Sequence, residues 1–507
     1  MARTPSDNLF YLIKAMSPAE KRHFRLSVPH KPDSGLKYRL LFDTMDALTE
    51  PDEARVRLQV YGGEPGGNKF PELKRYLYDL ILKSLVSFDE QSAPDRRSRH
   101  YLDGVEALFR RGMYDDCAQL LQRAARSARY YEDFAGLLDV LNWEKKLAYT
   151  QMDADFLHRH LEKIHTEEEQ TLRQLQNEQV YRKAFFEMYR LVKEDARQQT
   201  RVESPISLDP LLFADPKSAL SHKARVLYYR TTTLYLYMSQ QYDLFRENGV
   251  QLLQLLESRP HFLNKDLSDY IATLSNLILA CGLTGQFSEV EHYLDKLKHL
   301  RPITEDDRQK IHRQYFTNKF VLCMYTGRFR EAYAEMLQCK EAMRRFNPKS
   351  YGTASFYFQY TCICLGCGEY REALDYLNQW QNQPRSVERE DLQSLGRILQ
   401  LILHYELNNT LLLDSLQRSA TRFLRKKNRY SAFERRFFRL IHQLTAAQNE
   451  QEKRELFLGM QADMRPWKTD TDVQALLQTF DLEAWIESHI ASIAYDQAVV
   501  AKRYAKV

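Results

Sequence analysis

The sequence predicts an all-α protein: a right-handed solenoid of antiparallel helical hairpins behind a small N-terminal helical module. Three observations predict it. Short stretches recur in nearly the same wording, namely Gly285-Gln-Phe-Ser-Glu-Val, Gly327-Arg-Phe-Arg-Glu-Ala and Gly368-Glu-Tyr-Arg-Glu-Ala, with an earlier Gly112-Met-Tyr-Asp-Asp-Cys-Ala. Gly285, Gly327 and Gly368 lie 42 and 41 residues apart, a period that arises when each helical pair buries its apolar face only against its neighbours. The 507 residues include only 17 glycines and 16 prolines, so turns are few and helices long. After each turn the apolar residues follow a helical period: Val290, Tyr293, Leu294 and Leu297 in one unit, Ala373, Tyr376, Leu377 and Trp380 in another.

The first element is a front module over residues 1–92, a cap for the open end of the stack. Ser17-Pro-Ala-Glu20 is a capping box with proline at the first helical position, so a helix starts there. Helices follow over 35–48, 51–60 and 70–88, the last after the glycine loop Gly62–Lys69. The stretch before Pro18 has a short apolar run broken by Lys14 and does not read as a signal peptide. The polar segment Glu90–Arg99 marks the boundary.

Degenerate repeats occupy 93–200, as pairs 96–111 with 114–129 and 132–151 with 154–176. The stretch 154–199 is one long helix or two with a break near Gln174–Gln179. Pro205, Pro210 and Pro216 mark a loop over 201–217. The clearest repeats lie in 218–385, with helices over 218–239, 241–257, 264–283, 286–299, 304–325, 328–346, 350–366 and 369–381. Pro302 and Pro384 end second helices. In 386–507 the pattern decays: Asn409, 41 residues after Gly368, takes the turn position because asparagine tolerates left-handed geometry. Ser431-Ala-Phe-Glu434 is another capping box, and capping helices, including Leu482 to Tyr495, close the chain.

Leu277, Gly285, Phe287, Glu289, Val290 and Pro302 resemble the tetratricopeptide-repeat (TPR-like) pattern, apart from substitutions at its small-residue positions. The resemblance covers about 220–384, is fainter over 96–200 and 387–450, and fails in the front module. The period exceeds that family's usual ~34 residues, so each helix is about one turn longer. The chain is also similar to a group of bacterial TPR-like repeat proteins with such a front module and no assigned activity. The resemblance implies an inner groove that holds an extended peptide. Aligning the units on their glycines places Asn276, Asn318 and Gln359 at one register of each first helix, with Thr231, beside Arg230, in the preceding unit. It implies that Arg230, Asn276, Gln314, Asn318 and Gln359 grip a peptide backbone, since an amide both donates and accepts. Leu234 departs from the polar residue expected there, and the register holds too few cations to clamp a C-terminal carboxylate. The alternative is that these amides bond between adjacent helices and stitch the repeats together.

Other candidates are weighed against plainer roles. Cys362-Ile-Cys364-Leu-Gly-Cys367 contains a CxxC, but no second pair or nearby histidine completes a tetrahedral zinc site. Cys281, Cys323 and Cys364 share one register, which points to packing, and Cys367 alone is a candidate accessible thiol. His158 with Glu162 and His165 with Glu169 have i, i+4 spacing but no HExxH context, so a solvated helix face is the better account. The Gly62–Lys69 loop lacks the Lys-Ser/Thr pair of a phosphate loop. Arg422–Arg439 carries eight basic residues and one acid with aromatics between. Such a run can bind single-stranded nucleic acid, though a cationic helix end explains it at less cost.

Net charge is +5, and residues 1–100 hold 17 basic and 14 acidic residues, so charge nominates no nucleic acid. Seven scattered cysteines fit reduced thiols and the cytoplasm, and no segment has the ~18 apolar residues of a membrane span. No catalytic constellation, cofactor motif or metal site assembles. The expectation is a non-enzymatic cytoplasmic scaffold that binds a peptide or protein segment in its groove. The alternative is a regulator whose N-terminal module contacts nucleic acid while the repeats sense a partner.

Overall fold

In the computed structural model every regular element is helical, and no strand occurs among the described residues, which are 6–27, 34–61, 69–92, 97–152, 154–198, 209–344, 346, 356–382, 390–426, 430–464, 467 and 480–504. The chain divides into two compact units. One comprises Met1–Lys183, Ala214–Tyr228 and Arg259–Asp266; the other comprises Ala184–Phe213, Tyr229–Ser258 and Leu267–Val507.

The first unit opens with α1 (Ser6–Ala15), α2 (Pro18–Ser27), α3 (Ser34–Ala47), α4 (Glu53–Tyr61) and α5 (Lys69–Ser92). Helix α1 was not anticipated, yet Leu9, Phe10, Ile13 and Met16 fall on one helical face and are buried. Helix α2 starts under the expected capping box: Ser17 N donates to Glu20 Oε2 at 2.6 Å, and Glu20 N donates to Ser17 Oγ at 3.3 Å. Phe24 packs on Phe42 at 4.5 Å between ring centroids, with Phe70, Leu77 and Ile81 completing the core. Each such side chain contributes about 2–3 kcal/mol on leaving water. Gly62–Asn68 lies outside the described residues.

A second core gathers α6 (Arg97–Phe109), α7 (Tyr114–Tyr130), α8 (Phe134–Thr150) and α9 (Ala154–Gln198) around Val105, Leu121, Leu141 and Ile164. Helix α9 runs unbroken through Gln174–Gln179. Its 45 residues contain neither glycine nor proline, and Arg182 pairs with Glu178 one turn away. The turns before α7 and α8 share one closure. Gly112 and Glu132 have φ of 71° and 51°, and the next N–H donates five residues back, Met113 to Leu108 at 3.1 Å and Asp133 to Ala128 at 2.8 Å. The left-handed state costs a non-glycine residue about 1–2 kcal/mol. Glu132 offsets this because its carboxylate accepts from His222 N (2.9 Å), Lys223 N (3.0 Å) and Arg259 Nη1 (3.0 Å). That places an anion at the start of α11 (His222–Met238), where the helix dipole favours one. The short α13 (Pro260–Leu263) supplies Phe262, which stacks on His222 at 4.7 Å.

The second unit repeats the same turn with greater regularity. It contains α10 (Pro210–Phe213), inside the expected loop, then α12 (Tyr242–Glu257), α14 (Ser268–Leu283), α15 (Phe287–His299), α16 (Glu305–Tyr325), α17 (Phe329–Met343), α18 (Tyr357–Gly366) and α19 (Tyr370–Gln381). Successive helices pack on one another, and first helices pack across hairpins, α14 on α16 and α16 on α18. Gln240, Gly285, Gly327, Gly368 and Asn408 have φ of 58°, 77°, 75°, 79° and 55°. In every case the following N–H donates five residues back, to Leu236, Cys281, Cys323, Cys364 and His404, at 2.8–3.0 Å. The left-handed residue of the fifth turn is therefore Asn408, not Asn409. Pro302 lies just past α15, as expected, whereas 347–355 and Pro384 lie outside the described residues.

Helices α20 (Glu390–Glu406), α21 (Thr410–Lys426), α22 (Ala432–Ala446) and α23 (Glu450–Asp463) continue the succession. The Ser431–Glu434 capping box forms at the start of α22. The single helix expected from Leu482 to Tyr495 is instead two, α24 (Leu482–Ala491) and α25 (Tyr495–Tyr504), separated by Ser492 at φ 52°. Trp485 Nε1 donates to Glu406 Oε1 at 2.6 Å, and His489 Nε2 lies 2.8 Å from the same oxygen, anchoring α24 to α20. Helix α25 returns to the third glycine turn. A Cβ on Gly327 would meet Val500 Cγ2 at 2.6 Å, and Tyr495 packs on Phe329 at 5.4 Å.

Candidate functional site

The common turn gives every first helix of the second unit one register, counted back from the left-handed residue. Two hydrogen bonds fix how neighbouring first helices align. Lys310 Nζ donates to Ser268 Oγ at 2.8 Å, each seventeen residues before its glycine, and Gln359 Nε2 donates to the Thr317 carbonyl at 3.1 Å. Side chains of equal register on α14, α16 and α18 are therefore neighbours, as the alignment of Asn276, Asn318 and Gln359 supposed.

The five candidate groove residues separate into two groups. Arg230 is engaged: Nη1 pairs with Asp269 Oδ1 at 2.6 Å, and the guanidinium covers the Phe185 ring at 4.2 Å. Gln359 spends its amide nitrogen on the neighbouring helix, and Asn318 Nδ2 donates to the Gln314 carbonyl of its own helix at 2.8 Å. Asn276 and Gln314 are half-buried, and their side chains make no hydrogen bond among the described residues. Thr231 is fully buried. Hence the stitching role takes Gln359, and free amide capacity gathers on α14 and α16.

The face bearing Asn276 and Gln314 also carries apolar residues that the sequence argument did not single out. Six residues before the turn stand Leu234, Leu279 and Val321; two before it stand Met238, Leu283 and Tyr325. Leu279 is 41% exposed and Val321 51%, with Leu283 and Tyr325 close behind at 39% each. Their signal was the departure at Leu234, one instance of an apolar register. On α18 the equivalent positions, Cys362 and Gly366, are buried.

All seven cysteines are free and buried, including Cys367, which is therefore not an accessible thiol. Burial pushes the Cys281, Cys339 and Cys362 thiols up to about 12 and those of Cys323 and Cys367 to about 11. At neutral pH they stay protonated, which disfavours nucleophilic or metal-binding roles. Cys281 Sγ lies 3.5 Å from Glu289 Oε2, in keeping with a packing position.

His165 pairs with Glu168 at 3.1 Å and Glu169 with Arg173 at 3.7 Å, so His165 and Glu169 do not share a site. Among the described residues no group of three or more His, Cys, Asp and Glu is placed to hold a metal ion. The basic–aromatic run resolves into an amphipathic helix. Phe433, Phe437 and Phe438 are buried, Arg435 and Arg439 are exposed, and Arg436 Nε pairs with Asp463 at 2.5 Å. No stacking platform is presented by those rings. In the front module Lys21 and Arg25 are likewise engaged with Asp43 and Asp46 at 2.7–3.0 Å. No described helix is long and apolar enough to cross a membrane.

No family model matches the chain, and no curated protein and no solved structure is significantly similar to it.

Proposed function

We propose that the protein is a non-enzymatic, TPR-like helical-repeat scaffold that binds a segment of another protein along the face formed by α14 and α16. A right-handed solenoid of hairpins is the arrangement that this reading supposes. The observation that carries it is the pair of half-buried amides, Asn276 and Gln314, without side-chain partners among the described residues, set beside a band of exposed apolar side chains. Apolar area supplies affinity, and amides with spare donors and acceptors fix the bound chain's position.

The test is quantitative capture from the native cell by the tagged full chain, compared with the Asn276→Ala, Gln314→Ala double variant. The reading expects a reproducible partner whose affinity falls at least tenfold in the variant. If every captured partner keeps its affinity, the assignment to this face is wrong.

A further inference from the structure

The proposed binding face has a definite occupant class. Leu279 and Leu283 on α14, and Val321 and Tyr325 on α16, form two pairs four residues apart at matching registers of adjacent helices. The main chain under this patch is helical, so its N–H and C=O groups are already spent. An extended segment laid on it would find two amides and little else for its own backbone. A helix satisfies its backbone internally and needs only an apolar stripe.

The fold shows what such a patch accepts. At the next hairpin the same registers, Cys362 and Gly366, are buried: Phe329 of α17 covers Gly366, and the chain's own α25 lies against Phe329. Tyr495 packs on Phe329 and lies within electrostatic reach of Cys362, and the space a Cβ on Gly327 would take is bounded by Val500 and the Asp496 carbonyl. Arg503, three residues on, covers the Tyr325 ring. Helix α25 thus runs from the fourth turn towards the third, burying Tyr495, Ala498 and Val499. Tyr325 in turn packs on Phe287 of the second turn at 5.1 Å. The exposed band Val321–Leu279–Leu283 therefore continues the seat of α25 beyond the last residue that α25 covers.

We infer that this band is the docking site for an amphipathic α-helix of a partner protein, laid end to end with α25 and inserting its apolar stripe between α14 and α16. The inference rests on the proposed binding face and specifies what that face holds.

The test uses the full chain and a fluorescein-labelled 18-residue peptide of Leu, Ala, Lys and Glu with leucines at i, i+4, i+7 and i+11. Its control is an isomer of the same composition with the leucines scattered. Fluorescence anisotropy should show binding of the first peptide at least tenfold tighter than of the second. Leu279→Glu with Val321→Glu should remove that difference, and Leu279→Ser with Val321→Ser should reduce it, with unchanged circular dichroism. No preference for the patterned peptide, or a preference insensitive to both pairs at 279 and 321, overturns the inference. Self-association of the free chain in sedimentation, abolished by Leu279→Glu with Val321→Glu, also overturns it and gives the face to a second copy. A natural partner that depends on Asn276 and Gln314 while the patterned peptide fails would leave the binding face standing and remove only its helical occupant.

Discussion

The Gln359 side-chain amide donates to the Thr317 carbonyl at 3.1 Å, joining the first helices of two successive hairpins. A residue whose register suggested a peptide grip is thereby committed to holding neighbours together. Its amide is half-buried, so losing the bond leaves a carbonyl lacking that donor.

Gln359→Ala should therefore destabilise the chain by about 1 kcal/mol, the usual net value of such a bond, and leave partner affinity unchanged. Chemical denaturation alongside a binding assay separates the two effects. A loss of binding without loss of stability would return Gln359 to the recognition surface.

Gly366 and Gly285 should respond to alanine for different reasons. A Cβ at Gly366 would meet Phe329 Cδ1 at 2.0 Å inside the packed turn, and overpacking of that kind costs about 1–3 kcal/mol or more. A Cβ at Gly285 would meet no neighbouring atom within 4 Å, and only the φ of 77° resists a side chain, which costs about 1–2 kcal/mol. Thermal denaturation should rank Gly366→Ala as the more damaging substitution. Truncating Phe329 to leucine in the Gly366→Ala background should recover part of the loss, and Gly285→Ala has no such rescue.

Stability should fall as the solution is acidified from pH 6.5 to about 4. Burial, the leading cause, lowers the pKa of His222 to about 4, against the partial opposition of Glu132, with Arg259, Arg225 and His261 adding to the depression. Burial also lowers that of His312 to about 4. In the unfolded chain both take a proton near 6.5. Between those values the unfolded state binds more protons, so the folded state loses ground as pH falls and is unaffected by these groups above pH 7. His222→Phe, which keeps the ring stack on Phe262, should flatten the dependence by about one proton in urea titrations at a series of pH values. An unchanged slope would show that His222 is charged in the folded protein.

Trp485→Phe should loosen the C-terminal pair. The indole N–H donates to the Glu406 carboxylate at 2.6 Å, and hydrogen bonds to charged groups contribute about 1.5–3 kcal/mol. Hydrogen exchange should rise in α24 and α25 more than in α14 and α16. Uniform acceleration would mean that the pair unfolds only with the rest of its unit.

How much of this was legible depends on where the controlling contact lies along the chain. Local signals sufficed for the hairpins: the glycine turns, both capping boxes and most helix limits follow from residues within one turn of each other. The non-glycine turns were obscure because Glu132, Gln240 and Asn408 adopt left-handed geometry without the residue type that announces it. Glu132 does so with a carboxylate tied to His222, ninety residues away. Helix α1 was hidden by its lack of a turn signal, and the division of the C-terminal helix by the left-handed Ser492. The return of α25 to Gly327 depends on contacts more than 160 residues apart, beyond any local pattern. For the candidate site, the sequence supplied the register of Asn276 and Asn318. It could not show which amides the folded chain would consume, because that depends on the facing carbonyl and not on the amide itself.

The most direct test of the central claim, that the α14–α16 face is where the protein meets its partner, is site-specific photo-crosslinking in the native cell. A benzophenone side chain would replace Leu279, Val321 or, as control, Leu337 on the second helix α17, which is 50% exposed. The account predicts one discrete protein adduct from positions 279 and 321 and none from 337. Adducts from 337 alone, or equal adducts from all three positions, would contradict it.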